Sequence, residues 1–276
     1  PAMADSADGG APVYGGKRRR ARRQAATQNM ELVVHEQPTS GVAEAARAIR
    51  TNILFMSPDR PYRTLLVTSA SPSEGKTTVA CCIATAIAQA GRRVAILDCD
   101  MRRPRLHRVF GVERDVGITT ALVQANGLDE IVHPTVVPNL SIVTTGPLPP
   151  NPAEILHSES FHRLLAELRE RFDCVVIDSP PIVPVTDSAV LSTLVDGTVL
   201  VVRAFQTSRD LGKRAVRALR DVGGHAVGVV LNAVDLERQG YGYRYYQYYK
   251  GGYTQDRDRP SEPPPAAPPE ISSPVA

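Results

Sequence analysis

"ASPSEGKT" (residues 70–77) stands between a short β-rich run, RTLLVTSA (63–70), and KTTVACCIATAIAQAG (76–91), whose small and aliphatic residues predict a packed helix ended at Gly91. A strand, a Ser/Pro/Gly turn closing on Gly-Lys-Thr and then a helix is the Walker A arrangement. Backbone N–H groups of residues 73–77, at a helix N-terminus, can wrap a phosphate. Lys76 would reach the β/γ-oxygens of a nucleotide and the Thr77 hydroxyl would ligate Mg2+. Ser73, Glu74, Gly75, Lys76, Thr77 and Thr78 are therefore candidate nucleotide-binding residues. Ala70 stands where the strict motif has its first Gly, and Ser73 where Gly is frequent.

The surrounding chain supports that reading. RVAILDCD (93–100), LSIVTTG (140–146), CVVIDSPP (174–181), GTVLVVRA (197–204) and AVGVVLNAV (226–234) are continuously apolar rather than alternating, as parallel strands covered on both faces are. Helical spacing fills residues 152–172 and 208–223 between them. Strands alternating with helices predict an α/β fold with a doubly wound, mostly parallel sheet. In such sheets ligands bind at the carboxyl ends of the strands. Asp178 lies at one such end, the place of a Walker B carboxylate, and Asp98 and Asp100 lie at another. Spaced i and i+2, the last two can face one side. Lys76, Asp98, Asp100 and Asp178 form the candidate catalytic set, with Thr77, Asp98 and Asp178 as candidate metal ligands. No guanine-recognising NKxD signature is present, which favours ATP. Asn232, ending a late strand, could bond an adenine edge or simply close a turn.

Composition bounds the rest. The chain is 42% hydrophobic, 22% charged and of net charge +3, as expected of a soluble protein without a general affinity for nucleic acid. No apolar run approaches the ~20 residues of a membrane span, and no signal peptide opens the chain. Cys81, Cys82, Cys99 and Cys174 have no zinc-like spacing and sit in or beside apolar runs, which predicts buried reduced thiols. Residues 1–30, with KRRRARR at 17–23, read as a disordered basic arm, and 255–276 as a Pro-rich disordered tail. Between a domain at 31–238 and that tail lies YGYRYYQYYKGGY. Tyr241, Tyr243, Tyr245, Tyr246, Tyr248, Tyr249 and Tyr253 crowd there, against Tyr14 and Tyr62 elsewhere. Interrupting glycines make the 239–254 stretch a poor strand. Several phosphates on it would repel one another and an acidic site.

Walker A, then ILDCDMRRP (96–104), then VVIDSPP (175–181), then the tyrosine cluster resembles the P-loop bacterial tyrosine kinases of capsular and exopolysaccharide synthesis. That resemblance implies a P-loop NTPase fold like that of MinD and ParA, with Asp98, Asp100 and Arg102 as the Walker A′ element and Arg102 among the nucleotide-binding residues. It further implies autophosphorylation of the tyrosine cluster between subunits, with ATP and Mg2+ as cofactors. EAARAIR (44–50) matches the E-x2-R-x2-R helix that joins subunits, so Glu44, Arg47 and Arg50 are expected at the interface of a homo-oligomeric ring, an octamer. The expected partners are a membrane activator protein with a cytoplasmic tail and a cognate tyrosine phosphatase. The expected location is cytoplasmic, at the inner face of the membrane. The signature lysine of the partitioning ATPases is absent; Ser71 stands in its place. Two rival readings remain, a P-loop ATPase driving assembly or cargo positioning and a non-catalytic ATP-binding scaffold.

Overall fold

The computed structural model describes residues 29–124 and 127–234. The basic run at 17–23, the tyrosine cluster and the Pro-rich tail lie outside the described residues. Along the chain come α1 (Val33–Glu36), α2 (Gly41–Met56), β1 (Thr64–Ser69), α3 (Lys76–Ala88), β2 (Val94–Asp98), α4 (Leu106–Phe110), α5 (Ile118–Gln124) and α6 (Leu128–Ile131). Then follow β3 (Val132–Pro134), β4 (Leu140–Val143), α7 (Pro152–Leu156), α8 (Glu159–Arg171), β5 (Cys174–Asp178), α9 (Asp187–Ser192), β6 (Gly197–Arg203), α10 (Arg209–Asp221) and β7 (Ala226–Asn232).

The strands form one sheet in the order β3-β4-β2-β5-β1-β6-β7, parallel throughout except at the β3–β4 edge. β1, β2 and β5 are buried at every position, which is why their sequences are continuously apolar. Successive residues feed opposite layers. Val94 and Ile96 of β2 pack with Ile83 and Ile87 of α3, whereas Ala95 and Leu97 pack with Phe161, Leu165 and Leu168 of α8. Burying a side chain such as Phe161 completely contributes about 2–3 kcal/mol. The doubly wound α/β architecture expected from the sequence is the one observed.

Two expectations need correction. The helical stretch 152–172 is two helices, because the Ser158 hydroxyl accepts from the Phe161 N–H and starts α8 afresh after Leu156. Residues 226–234 were expected to be covered on both faces, but β7 is an edge strand. Beside β6 alone, it leaves Val229 58% and Leu231 54% exposed among the described residues.

Sheet order decides where the chemistry falls. β5 lies between β1 and β2, so Asp178 aligns with Asp98 on one side and with Val67, just before the loop, on the other. Replacing Phe161 by Ala should lower the unfolding free energy by about 3–5 kcal/mol, and Ser158→Ala by about 1 kcal/mol. Chemical denaturation of the two variants checks both.

Candidate active site

The 70–77 loop is shaped before any ligand arrives. Gly75 takes φ +89°, and a Cβ there would stand 2.1 Å from Asn232 Nδ2, so conformation and space both demand glycine. Ser73, at φ +65°, adopts a left-handed conformation that costs about 1–2 kcal/mol outside glycine. Its surroundings hold it there. Arg203 Nη1 donates to the Ser73 carbonyl at 3.0 Å, and Asn232 Nδ2 donates to the Glu74 carbonyl at 2.9 Å. The buried Glu74 carboxylate accepts from the Ser71 N–H at 2.8 Å and from the Thr207 hydroxyl. Strand ends from β6 and β7 thus brace a loop that leaves β1.

Behind the loop lies a buried group of charges. Lys76 Nζ is 2.7 Å from Asp100 Oδ2 and 3.8 Å from Asp178 Oδ1. The Thr77 hydroxyl donates to Asp178 Oδ2 at 2.7 Å. Asp98 Oδ2 accepts from the backbone N–H groups of Arg105 and Leu106, each at 2.9 Å, so this acid anchors the start of α4. Asp98 Oδ1 and Asp178 Oδ1 are buried without a hydrogen-bond donor. Burial pushes the Asp98 carboxyl up to about 7, aided by the facing Asp178 and opposed by the two N–H groups. Burial likewise raises Asp178, against the pull of Lys76. Burial alone would lower the Lys76 ammonium; Asp178 and Asp100 outweigh it and hold the group above the ordinary lysine range.

Two orphaned carboxylate oxygens beside one lysine leave negative charge that calls for a further cation. Mg2+ fits, because it favours oxygen ligands and takes one or two carboxylates together with substrate phosphates. The Thr77 hydroxyl, Asp178 and Asp98 supply such oxygens. Among the described residues no three His, Cys, Asp or Glu side chains form a metal cage of their own.

The structure therefore gathers Lys76, Thr77, Asp98, Asp100 and Asp178. Other expected residues make contacts within the chain. Arg102 forms a two-pronged pair with Asp187, 2.8 and 2.9 Å, which raises its guanidinium further. The Thr78 hydroxyl donates to Glu31, not to a position over the loop. The Asn232 amide, considered for an adenine edge, is bonded to the loop. Glu44 and Arg47 pair with each other on α2, Arg47 also reaches the Pro38 carbonyl, and Arg50 donates to the Ala86 carbonyl of α3 at 3.0 Å. Glu31, Arg105, Asp187, Arg203 and Thr207 went unread in the sequence, since each acts through a partner far along the chain. The cysteines are buried and free as expected; burial pushes Cys82 and Cys174 up to about 12 and raises Cys81 and Cys99 well above the ordinary thiol range.

A phosphate-wrapping loop at a strand-to-helix turn, backed by acids at neighbouring strand tips, defines a P-loop NTPase. The ParA family model, described as NUBPL iron-transfer P-loop NTPase, matches residues 61–259. Within that class the chain belongs to the bacterial tyrosine-protein kinases. It is 36% identical over 213 residues to tyrosine-protein kinase YwqD of Bacillus subtilis, covering 77% of this chain and 90% of the relative. It is 34% identical to tyrosine-protein kinase wzc of Salmonella typhimurium, covering 82% of this chain but 31% of that longer protein. The kinase domain of Escherichia coli tyrosine kinase ETK superposes with a TM-score of 0.72 at 30% identity, covering 77% of this chain and 83% of that one.

Gly75→Ala should weaken nucleotide binding by at least about ten-fold through loop strain, measured by titration calorimetry. Asp98 ionises only near pH 7 when folded, against about 4 when unfolded. The stability associated with its protonated form is complete below about pH 4 and lost as pH rises through 7. Without nucleotide or metal, Asp98→Asn should therefore raise the melting temperature by several degrees at pH 8 and hardly at pH 4. Scanning calorimetry at both pH values checks this.

Proposed function

We propose that the protein transfers the γ-phosphoryl of ATP to the tyrosines at 241–253 of a neighbouring subunit, and so regulates polysaccharide synthesis or export. One observation carries the reading. A buried lysine–carboxylate group with donorless oxygens sits behind a braced phosphate loop, in a chain with seven tyrosines in thirteen residues. Phosphoryl transfer needs positioning and charge stabilisation more than covalent chemistry from the protein. The loop N–H groups orient the phosphates, and Lys76 offsets charge developing on the β/γ-oxygens. Mg2+, held by Thr77 and Asp178 with Asp98 nearby, would supply further neutralisation when bound.

A phenol has a pKa near 10 and needs a proton acceptor. Asp98 suits the task better than Asp100. It keeps one buried oxygen without a donor, whereas Asp100 is paired with Lys76. The phenol oxygen attacks the γ-phosphorus, the bond to the β/γ-bridging oxygen breaks, ADP leaves, and the hydroxyl proton passes to Asp98.

Assembly through α2 accords with this reading. Glu44 and Arg47 lie on its surface, and Phe55 is 77% and Met56 55% exposed at its end. By resemblance, the ring would be an octamer working with a membrane activator's cytoplasmic tail and reversed by a tyrosine phosphatase. No helix among the described residues is long and apolar enough to cross a membrane, so attachment at the inner face of the membrane would come through that activator.

Incubation with γ-labelled ATP, followed by mass spectrometry of the tail, tests the proposal. Label is expected on tyrosines between 241 and 253, with a loss of at least about a hundred-fold in Lys76→Met. Free phosphate without labelled protein would instead mean an assembly-driving ATPase, and neither product a nucleotide-binding scaffold.

A further inference from the structure

The acids of the site are followed by a row of cations. From Met101 to Val112 the chain has Arg102, Arg103, Arg105 and Arg108 and no carboxylate, and all four arginines are exposed. The row starts at the active centre, because the Arg103 N–H donates to Asp100 Oδ1 at 3.0 Å and the Arg105 N–H to Asp98 Oδ2 at 2.9 Å. The Arg103 and Arg105 guanidiniums thus each start one side chain's length from an acid of the site, and Arg108 follows Arg105 within α4. Nearby carboxylates satisfy two of the four. Asp187 holds Arg102, and Glu31 holds Arg105 at 2.7 Å. Arg103 and Arg108 have no side-chain partner among the described residues. Arg108 and Arg114 share the surroundings of His107, with Glu113 the acid beside them, and Arg114 Nη1 is buried without an acceptor.

An exposed cationic row touching the acids of a tyrosine-phosphorylating site invites an anion of fitting geometry. The unmodified cluster is not that anion. Residues 238–253 carry Arg238, Arg244 and Lys250 and no acid. Each phosphate adds about −1.5 to −2 charge, so two neutralise the segment and a third makes it anionic. Phosphotyrosine oxygens also match the planar guanidinium fork.

Resting on the kinase reading above, we infer that Arg103 and Arg108 form a docking surface for phosphotyrosines already made on the cluster of a second copy of this chain. Docking forms no covalent bond. It holds the modified segment within a residue or two of the acids, ~7 Å per two extended residues, and so presents the next hydroxyl. The first phosphate on each tail is then the slowest, and later ones are favoured. The repulsion expected between a phosphorylated tail and the acidic site is offset by this row.

The test uses the phosphatase-treated full-length protein without ATP, and fluorescent peptides of sequence 239–254 bearing zero, one or three phosphotyrosines. Fluorescence anisotropy should show the triply modified peptide binding at least about ten-fold more tightly than the unmodified one, the scale of one charged hydrogen bond. Arg103→Ala/Arg108→Ala should abolish that difference, and salt should weaken it. In a time course with ATP, wild type should accelerate after a lag, while the double variant starts at the same rate and does not accelerate. Equal binding of all peptides, or a preference that survives the double substitution, would overturn the inference. So would anionic vesicles binding through these arginines while the phosphopeptide does not. Because the binding arm needs no turnover, it can fail while Lys76-dependent labelling succeeds, which separates this inference from the kinase reading.

Discussion

The structure depends on keeping three carboxylates and one lysine together where water scarcely reaches. Asp98, Asp100 and Asp178 are each no more than 3% exposed, and Lys76 is their nearest cation. Unpaired, such acids would cost several kcal/mol each. The fold contains that cost by placing the group at the tips of adjacent strands, where backbone N–H groups, a hydroxyl and the lysine can all reach it. The sheet order brings β5 between β1 and β2, and with it the Walker B acid between the phosphate loop and the Walker A′ acids. One oxygen each on Asp98 and Asp178 is left without a hydrogen-bond donor, that of Asp178 facing Lys76 at 3.8 Å.

The phosphate loop illustrates how a departure from a motif is accommodated. Ser73 occupies a left-handed conformation that glycine would adopt freely, yet it is fixed by Arg203. Ser71, where partitioning ATPases carry a lysine, gives its N–H to Glu74. The loop is therefore closed from inside the same subunit, by Glu74, Arg203, Thr207 and Asn232. The ParA-type scaffold is retained while the residue that marks the partitioning branch is missing.

Much of this is legible in the sequence. Strand runs, the glycine–lysine–threonine turn and the acids at strand tips are local patterns, and each signals its own place in a doubly wound sheet. The braces are not local. Asn232 and Glu74 are 158 residues apart, and Thr207 and Glu74 133 apart, so they meet only because β6 and β7 extend the sheet beside β1. The same limit hid the pairing of Arg102 with Asp187 and of Arg105 with Glu31, 85 and 74 residues apart. Val229 and Leu231 misled for a related reason. Apolar character marks a strand, but whether anything covers it depends on its rank in the sheet.

Alternation along the end of β2 has one more effect. The backbone that presents Asp98 and Asp100 to the site buries Cys99, between them, completely. Its sulfur is enclosed and held far from ionisation, chiefly by burial and further by the neighbouring acids. The thiolate is the form that oxidants and alkylating agents attack. Cys99 is therefore held as an unreactive thiol, and the two acids beside it leave an oxidant no ready sulfur target within the site.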